Sequence, residues 1–511
     1  MTPCPLLLVL SLFGACGCPR DRSGGNGQRS DAIVAVNEDN DHYFCTHDES
    51  EMTVSALEAY VDRMATGKVT HFFMCPSGQR TSYDSKVWEP IWTALDEPGG
   101  ANLRWGVRAK LLRDRGIDPY AVWIRRCRQR GISPWLSPRM NDAHNATQEW
   151  PLRNTTFWRT RTDLHCATNA FGRGVFNFAH QEVRDYTFAL VKELLDRYDV
   201  DGLELDFMRF DRYFPERDAT NCTHFLDAFV KRVKAAVDVK ARECGRRIQL
   251  GVRVPTTPRG ALALGMDVGK WAREGWVDMV CASTAWRTPD YNLPVAAWRQ
   301  AFGPASARVK LLAGTDHGVT NWNWNRTDMT PELYAGFADV EWGNGVDGIY
   351  LFNAIYLKDA FETVCRKGLF PGDLVAYTRR YPVSFRAESY GVVSDDRQLP
   401  RLSDRRNTFK VRLGKHPVGA VSVLVGVQEK GPFSPPVSLN GVKASSSRVE
   451  RPEFGNYDHP DRTYDYSFRR YFFPAGSVHP GADNLVEIEP SETRMTVTWV
   501  EIDLDMVSEC N

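Results

Sequence analysis

Glu204 and Asp206 stand two residues apart in "YDVDGLELDFMRFDRYF", from Tyr198 to Phe214. Leu203, Leu205 and Phe207 alternate with them at period two, so the stretch reads as a strand with one apolar face and one acidic face. Two positions along a strand span roughly 6.6 Å, within reach of one site. Two carboxyls in one site, one protonated and one ionised, are what glycosidic-bond hydrolysis uses.

Eight apolar runs of strand length supply the frame for that pair. They begin at Asp31, Val69, Ile132, Val200, Ile248, Val277, Val309 and Val346, and helical patterns separate them. In "QEVRDYTFALVKELLDRYD", Val183, Thr187, Leu190, Val191, Leu194 and Leu195 mark one helical face. Eight βα units predict an α/β fold, a (β/α)8 TIM barrel over residues 31–375. A doubly wound open sheet is the alternative, and no GxGxxG or GxxxxGK[ST] motif follows any strand to favour it. "VDGLELDF" and "VDGIYLFN" repeat a VDG entry half a barrel apart, either a half-barrel echo or a common way into a strand.

Barrel chemistry comes from the C-terminal ends of strands. Alternation turns Glu204 and Asp206 toward the axis, with Asp206 nearer the rim. It turns Ser137, Arg139 and Asn141 inward on the third strand and Arg253 inward on the fifth. Glu204, the deeper carboxyl, is expected to pair with Arg253 or Arg139, since a buried charge is costly unless paired. Asp206 is expected to be catalytic. The second carboxyl is open among Asp316, Asp142, Asp39, Asp41 and Glu204, with Asp316 at the end of the seventh strand favoured. Trp286, Trp322 and Trp324 in rim loops read as sugar-stacking faces, or as loop packing. Arg139, Asp142, Arg209, Arg253, His317 and Asn353 complete the expected substrate contacts. His144 lies at the same rim, and its plain reading is a hydrogen-bonded loop histidine. No HExxH or related spacing calls for a metal, and no cofactor is expected.

"VDGLELDFMRF" resembles the D-G-[IL]-x-[FL]-D-Y-[IV]-R-[FY] motif of glycosyl-hydrolase-like barrel families of bacterial envelopes, the tenth glycosyl-hydrolase-like group among them. The resemblance covers the barrel, through a motif one strand long. It implies that Asp206 is the strand-end catalytic aspartate and Arg209 the arginine that follows it. "VNEDND" is similar to the polar first-strand ends of such proteins. The stretch also resembles the chitinase pattern D-G-x-D-x-D-x-E, but Glu204 replaces an aspartate and Met208 stands at the catalytic glutamate. A second catalytic group must then come from elsewhere, or the barrel binds glycan without cleaving it. A lyase or deacetylase on the same barrel is a further alternative.

The 511 residues are enough for two domains, and 42% hydrophobic content supports a sizeable core. Lys+Arg and Asp+Glu are both 64, which gives no basis for a nucleic-acid partner. The start reads as a signal peptide over residues 1–18 and a linker over 19–30, so an exported protein is expected: periplasmic, cell-surface or extracellular. "LFGAC" is similar to a bacterial lipoprotein signal, which would put a lipid on Cys16 and attach the chain to a membrane. Some of the twelve cysteines are expected to form disulfides in that setting, while Cys75 and Cys281, inside apolar strands, read as buried thiols. Sequons occur at Asn145, Asn154, Asn221 and Asn325. From 385 to 511, short alternating strands predict an all-β sandwich. "SLNG", "NLVEIE" and "VTWVEIDL" resemble galactose-binding-like jelly-roll modules, which implies carbohydrate binding; bracing of the barrel is the alternative. The expected function is hydrolysis of a polysaccharide or glycan.

Overall fold

The computed structural model describes residues 32–144, 151–166, 174–284, 288–320, 326–383, 398–416, 419–428, 433–451 and 466–506. Eight parallel strands close into a barrel: β1 (Ile33–Glu38), β2 (His71–Met74), β3 (Ser133–Leu136), β4 (Gly202–Asp206), β5 (Gln249–Val254), β6 (Met279–Ser283), β7 (Lys310–Thr315) and β8 (Gly348–Leu351). Each strand neighbours the next in sequence, and β8 closes on β1. The strands read as near-continuous apolar runs because both faces are covered. Val34, Val36, Leu203, Leu205, Leu250 and Val252 pack outward under the helices. Ile33, Ala35, Phe73, Trp135, Leu312 and Tyr350 fill the interior. The helix Gln181–Arg197 buries the face expected of it, Val183 through Leu195.

The VDG echo has a packing cause. A Cβ on Gly202 would lie 2.5 Å from the Trp135 ring that plugs the barrel, and one on Gly348 would lie 2.7 Å from the Cβ of Ile33. Both strands need glycine where they enter the packed interior.

Two antiparallel sheets follow. One joins Arg379–Pro382, Thr496–Leu504, Val421–Gln428, Tyr466–Phe473 and Ser446–Glu450, with Arg401–Leu402 also pairing with Thr496–Leu504. The other joins Asn407–Arg412, Asp483–Ile488, Val437–Leu439 and Val442–Lys443. One core spans both, with Val423, Val425 and Ile502 from the first and Phe409, Val486 and Ile488 from the second. The first strand, Arg379–Pro382, lies ahead of residue 385 and packs against the barrel helix Pro331–Asn344. Gly336 of that helix makes room: a Cβ there would lie 2.0 Å from the carbonyl oxygen of Arg380. Asp339 on the same helix accepts a hydrogen bond from Tyr381 Oη at 2.7 Å and bonds His416 Nδ1 at 2.5 Å. Leu424, Phe468 and Trp499 of the sandwich join the barrel's outer core. The β module therefore braces the barrel through a packed seam.

The expected disulfides are absent among the described cysteines. Cys45, Cys75, Cys127, Cys166, Cys222, Cys244, Cys281 and Cys365 are all free. They are spread over separate strands, helices and loops, and Cys75 and Cys281 are buried. The Asn154 sequon is fully buried and closed to an enzyme in the folded chain, whereas Asn221 is exposed. Cys16, Asn145 and Asn325 lie outside the described residues. No helix among the described residues is long and apolar enough to cross a membrane.

Candidate active site

Parity on β4 does what the sequence predicts. Leu203, Leu205 and Phe207 pack under the helices, and Glu204 and Asp206 face the axis, both almost fully buried. Asp206 ends the strand in register with Arg253 of β5. Arg253 Nη1 donates to both carboxylate oxygens of Asp206, at 3.0 and 3.2 Å. The backbone N–H of Met208 donates to Asp206 Oδ1 at 2.9 Å. The guanidinium of Arg253 also lies 3.7 Å from the centre of the Phe352 ring, a cation–π contact. Arg253 is thus a clamp that pairs Asp206 with a cation and fixes its direction.

Glu204 corrects an expectation. Its partner is neither Arg253 nor Arg139. Glu204 Oε1 accepts from Ser137 Oγ and from Tyr350 Oη, each at 2.7 Å. Tyr350 Oη in turn accepts from Asn37 Nδ2 at 2.9 Å. The network links β1, β3, β4 and β8 across the barrel. Hydroxyls satisfy a carboxyl without neutralising it, so burial, and then the nearby Asp206 charge, push Glu204 up to about 7.

Arg139 serves other carboxylates. It bridges Asp39, through Nη2, and Asp142, through Nη1 at 2.6 Å. Asp142 Oδ1 also accepts from the backbone N–H of His144 at 2.8 Å and bonds the His144 Nδ1 at 2.7 Å. The far nitrogen of His144 faces Arg209. Burial and the Arg209 charge press His144 down to about 4, so the ring is neutral near pH 7. Burial alone would raise Asp142 and Asp39, yet the bonded His144 ring and Arg139 hold Asp142, and Arg139 and Arg209 hold Asp39, below the usual carboxylate range. These two rim aspartates stay ionised. Asn141, expected at the axis, instead staples the rim: Nδ2 donates to the carbonyls of Phe176 and Arg212, at 2.9 and 2.8 Å.

Asp316 ends β7 and is buried. It accepts from the backbone N–H of His317 at 2.6 Å and bonds His317 Nδ1. Asn353 follows β8 in the left-handed region (φ 54°), and its buried Oδ1 has no hydrogen-bond partner among the described residues. Asp41, half-buried behind β1, meets Arg153 at 3.1 Å. Burial and the adjacent Asp39 charge nevertheless raise it. Trp286, Trp322 and Trp324 lie outside the described residues.

Glu38 is the acid that sequence reasoning passed over. It shares the outward parity of Val34 and Val36, so it faces helices, where a carboxylate needs partners. It finds them in Tyr60 Oη, His42 Nδ1 at 3.1 Å and the backbone N–H of Tyr43 at 3.0 Å. No group of three or more His, Cys, Asp or Glu among the described residues is placed to hold a metal ion.

No family model matches the chain, and no curated protein matches it. Among solved structures, it is similar to a cycloisomaltooligosaccharide glucanotransferase from Paenibacillus sp., at 9% identity and a TM-score of 0.36. That match covers 93% of this chain but only 58% of that one. The PgaB (BpsB) glycoside hydrolase domain from Bordetella bronchiseptica matches at 10% identity and a TM-score of 0.41, covering 67% of this chain and 99% of that one. The endo-beta-1,4-mannanase from Thermotoga petrophila matches at 10% identity and a TM-score of 0.42, covering 93% and 98%. Similarity at this level carries nothing about substrate or catalytic residues.

Proposed function

We propose that the chain is an exported glycoside hydrolase that cleaves a glycosidic bond at the C-terminal rim of the barrel, with Asp206 as its central carboxylate. The observation that carries this reading is the Asp206–Arg253 clamp: a carboxylate at a strand end, fixed by a guanidinium and a backbone N–H. Such a group attacks the anomeric carbon, or draws a proton from the water that does. The leaving oxygen needs a proton from a second carboxyl. Asp39 and Asp142 are held ionised and do not fit that role. Asp41 does, because its charged form is disfavoured; Asp316 is the alternative donor. Glu204 lies beneath Asp206 as a positioning residue.

Met208 in place of a glutamate, and the engagement of Asp206 by Arg253, favour one other reading, a barrel that binds glycan without cleaving it. Release of reducing ends from a panel of neutral and acidic polysaccharides, by the wild-type chain and by Asp206→Asn, separates the two. Cleavage by the wild type that the variant loses supports the hydrolase. Binding with no cleavage by either supports the binding protein.

A further inference from the structure

A cavity of about 380 Å³ opens beside β1, between the helix Val54–Met64 and the helix Lys358–Lys367, outside the barrel axis. That volume is in the range of small-ligand sites. Its apolar lining includes Met64, Ile355 and Phe361, and its aromatic lining is Tyr60 and Tyr356. One polar element is built from buried groups. Glu38 fixes the His42 ring through Nδ1, and Tyr356 packs edge-on to that ring at 4.4 Å. With Nδ1 turned to Glu38, the Nε2 edge of His42 is left to the cavity. Burial works against a charged imidazole there, but Glu38 outweighs it and raises His42.

Arg63 is the second polar element. Its guanidinium lies 4.8 Å from the centre of the Tyr60 ring, and Nη2 donates to His47 Nε2 at 3.3 Å. That nitrogen can accept because His47 is held neutral, chiefly by burial. No carboxylate pairs with Arg63 among the described residues. The fork is therefore oriented by an aromatic face and a neutral histidine, with no anion on it. An arginine fork beside an imidazole whose charged form Glu38 favours matches a planar carboxylate. Glu51, Glu362 and Lys358 also line the cavity, two carboxylates against one ammonium, which disfavours a doubly charged phosphate more than a singly charged carboxylate. The flat, exposed face of Tyr356 suits the C–H face of a sugar ring.

We propose that this cavity is a second ligand site, one that takes a sugar unit bearing a carboxylate, a uronate, with the carboxylate on Arg63 and His42 and the ring against Tyr356. The site stands on the cavity itself and does not depend on Asp206 being catalytic. The uronate could be a free sugar acid or one unit of a chain, and the test separates them.

Titration calorimetry of the full chain with sodium D-glucuronate, with a short oligogalacturonide and with D-glucose tests the site, using wild type, Arg63→Gln, Arg63→Lys and Asp206→Asn. Saturable binding of glucuronate or the oligomer is expected, with glucose silent. Binding of the oligomer alone assigns the site to a chain; binding of glucuronate assigns it to a single unit. Arg63→Gln should weaken binding about tenfold or more, Arg63→Lys less, and Asp206→Asn not at all. Arg63 is exposed, so an unchanged melting temperature in Arg63→Gln shows that the fold is kept. Equal binding of glucose, no binding of either acid, or binding indifferent to Arg63→Gln would overturn the proposal.

Discussion

Glu204 and Asp206 face the same side of one strand and are held by opposite chemistry. Two hydroxyls bond Glu204, while a guanidinium and a backbone N–H fix Asp206. The deeper carboxyl therefore gains a proton easily, and the outer one is paired with a cation. Several consequences of this split are measurable.

The first is a pH dependence of stability. Glu204 rises from the ordinary 4.5 to about 7 in the folded chain. Between those values the folded state keeps a proton that the unfolded state has released. Its contribution is complete below pH 4.5 and is lost as pH rises through 7. The loss is on the order of 3 kcal/mol. Urea unfolding of wild type and Glu204→Gln at pH 4.5 and pH 8 checks it. The stability of wild type relative to the glutamine variant should fall with pH by that order, and a parallel pH response would contradict it.

Arg253→Leu leaves the Asp206 carboxylate buried without its cation. The expected cost is about 3–5 kcal/mol, read as a lower urea midpoint. Arg253→Lys keeps the charge but loses the fork, and should fall between wild type and leucine.

Gly202→Ala tests the barrel plug. The added Cβ would meet the Trp135 ring at 2.5 Å, and that ring is locked in the interior. A loss of about 1–3 kcal/mol is expected by thermal or urea unfolding. An unchanged stability would mean that Trp135 has room to move.

Gly336→Ala tests the seam between barrel and sandwich. Here the added Cβ meets the Arg380 carbonyl, a backbone atom that side-chain rotation does not relieve. The expected result is a lower melting temperature, with the strand Arg379–Pro382 becoming more open to proteolysis. If neither changes, the two parts are not held by this contact.

Local alternation made much of this legible from the chain. Leu203, Leu205 and Phe207 against Glu204 and Asp206 fixed the faces of β4, and the same rule turned Arg253 inward beside Asp206. Alternation says which way a side chain points but not what it meets. Tyr350 reaches Glu204 from a strand 146 residues away, so its claim on that carboxyl is invisible locally. Arg139 likewise finds Asp39 across 100 residues. Glu38 was missed because it ends an apolar strand on the helix side, and its partner His42, four residues on, lies past the turn.

The central claim is that Asp206 is catalytic. Reducing-end release by purified wild type and Asp206→Asn, on whichever polysaccharide the wild type cleaves, tests it most directly. The variant should lose turnover by about 10²–10⁴-fold while its melting temperature and glycan binding are kept. Turnover within a few-fold of wild type in a folded Asp206→Asn chain would contradict the account.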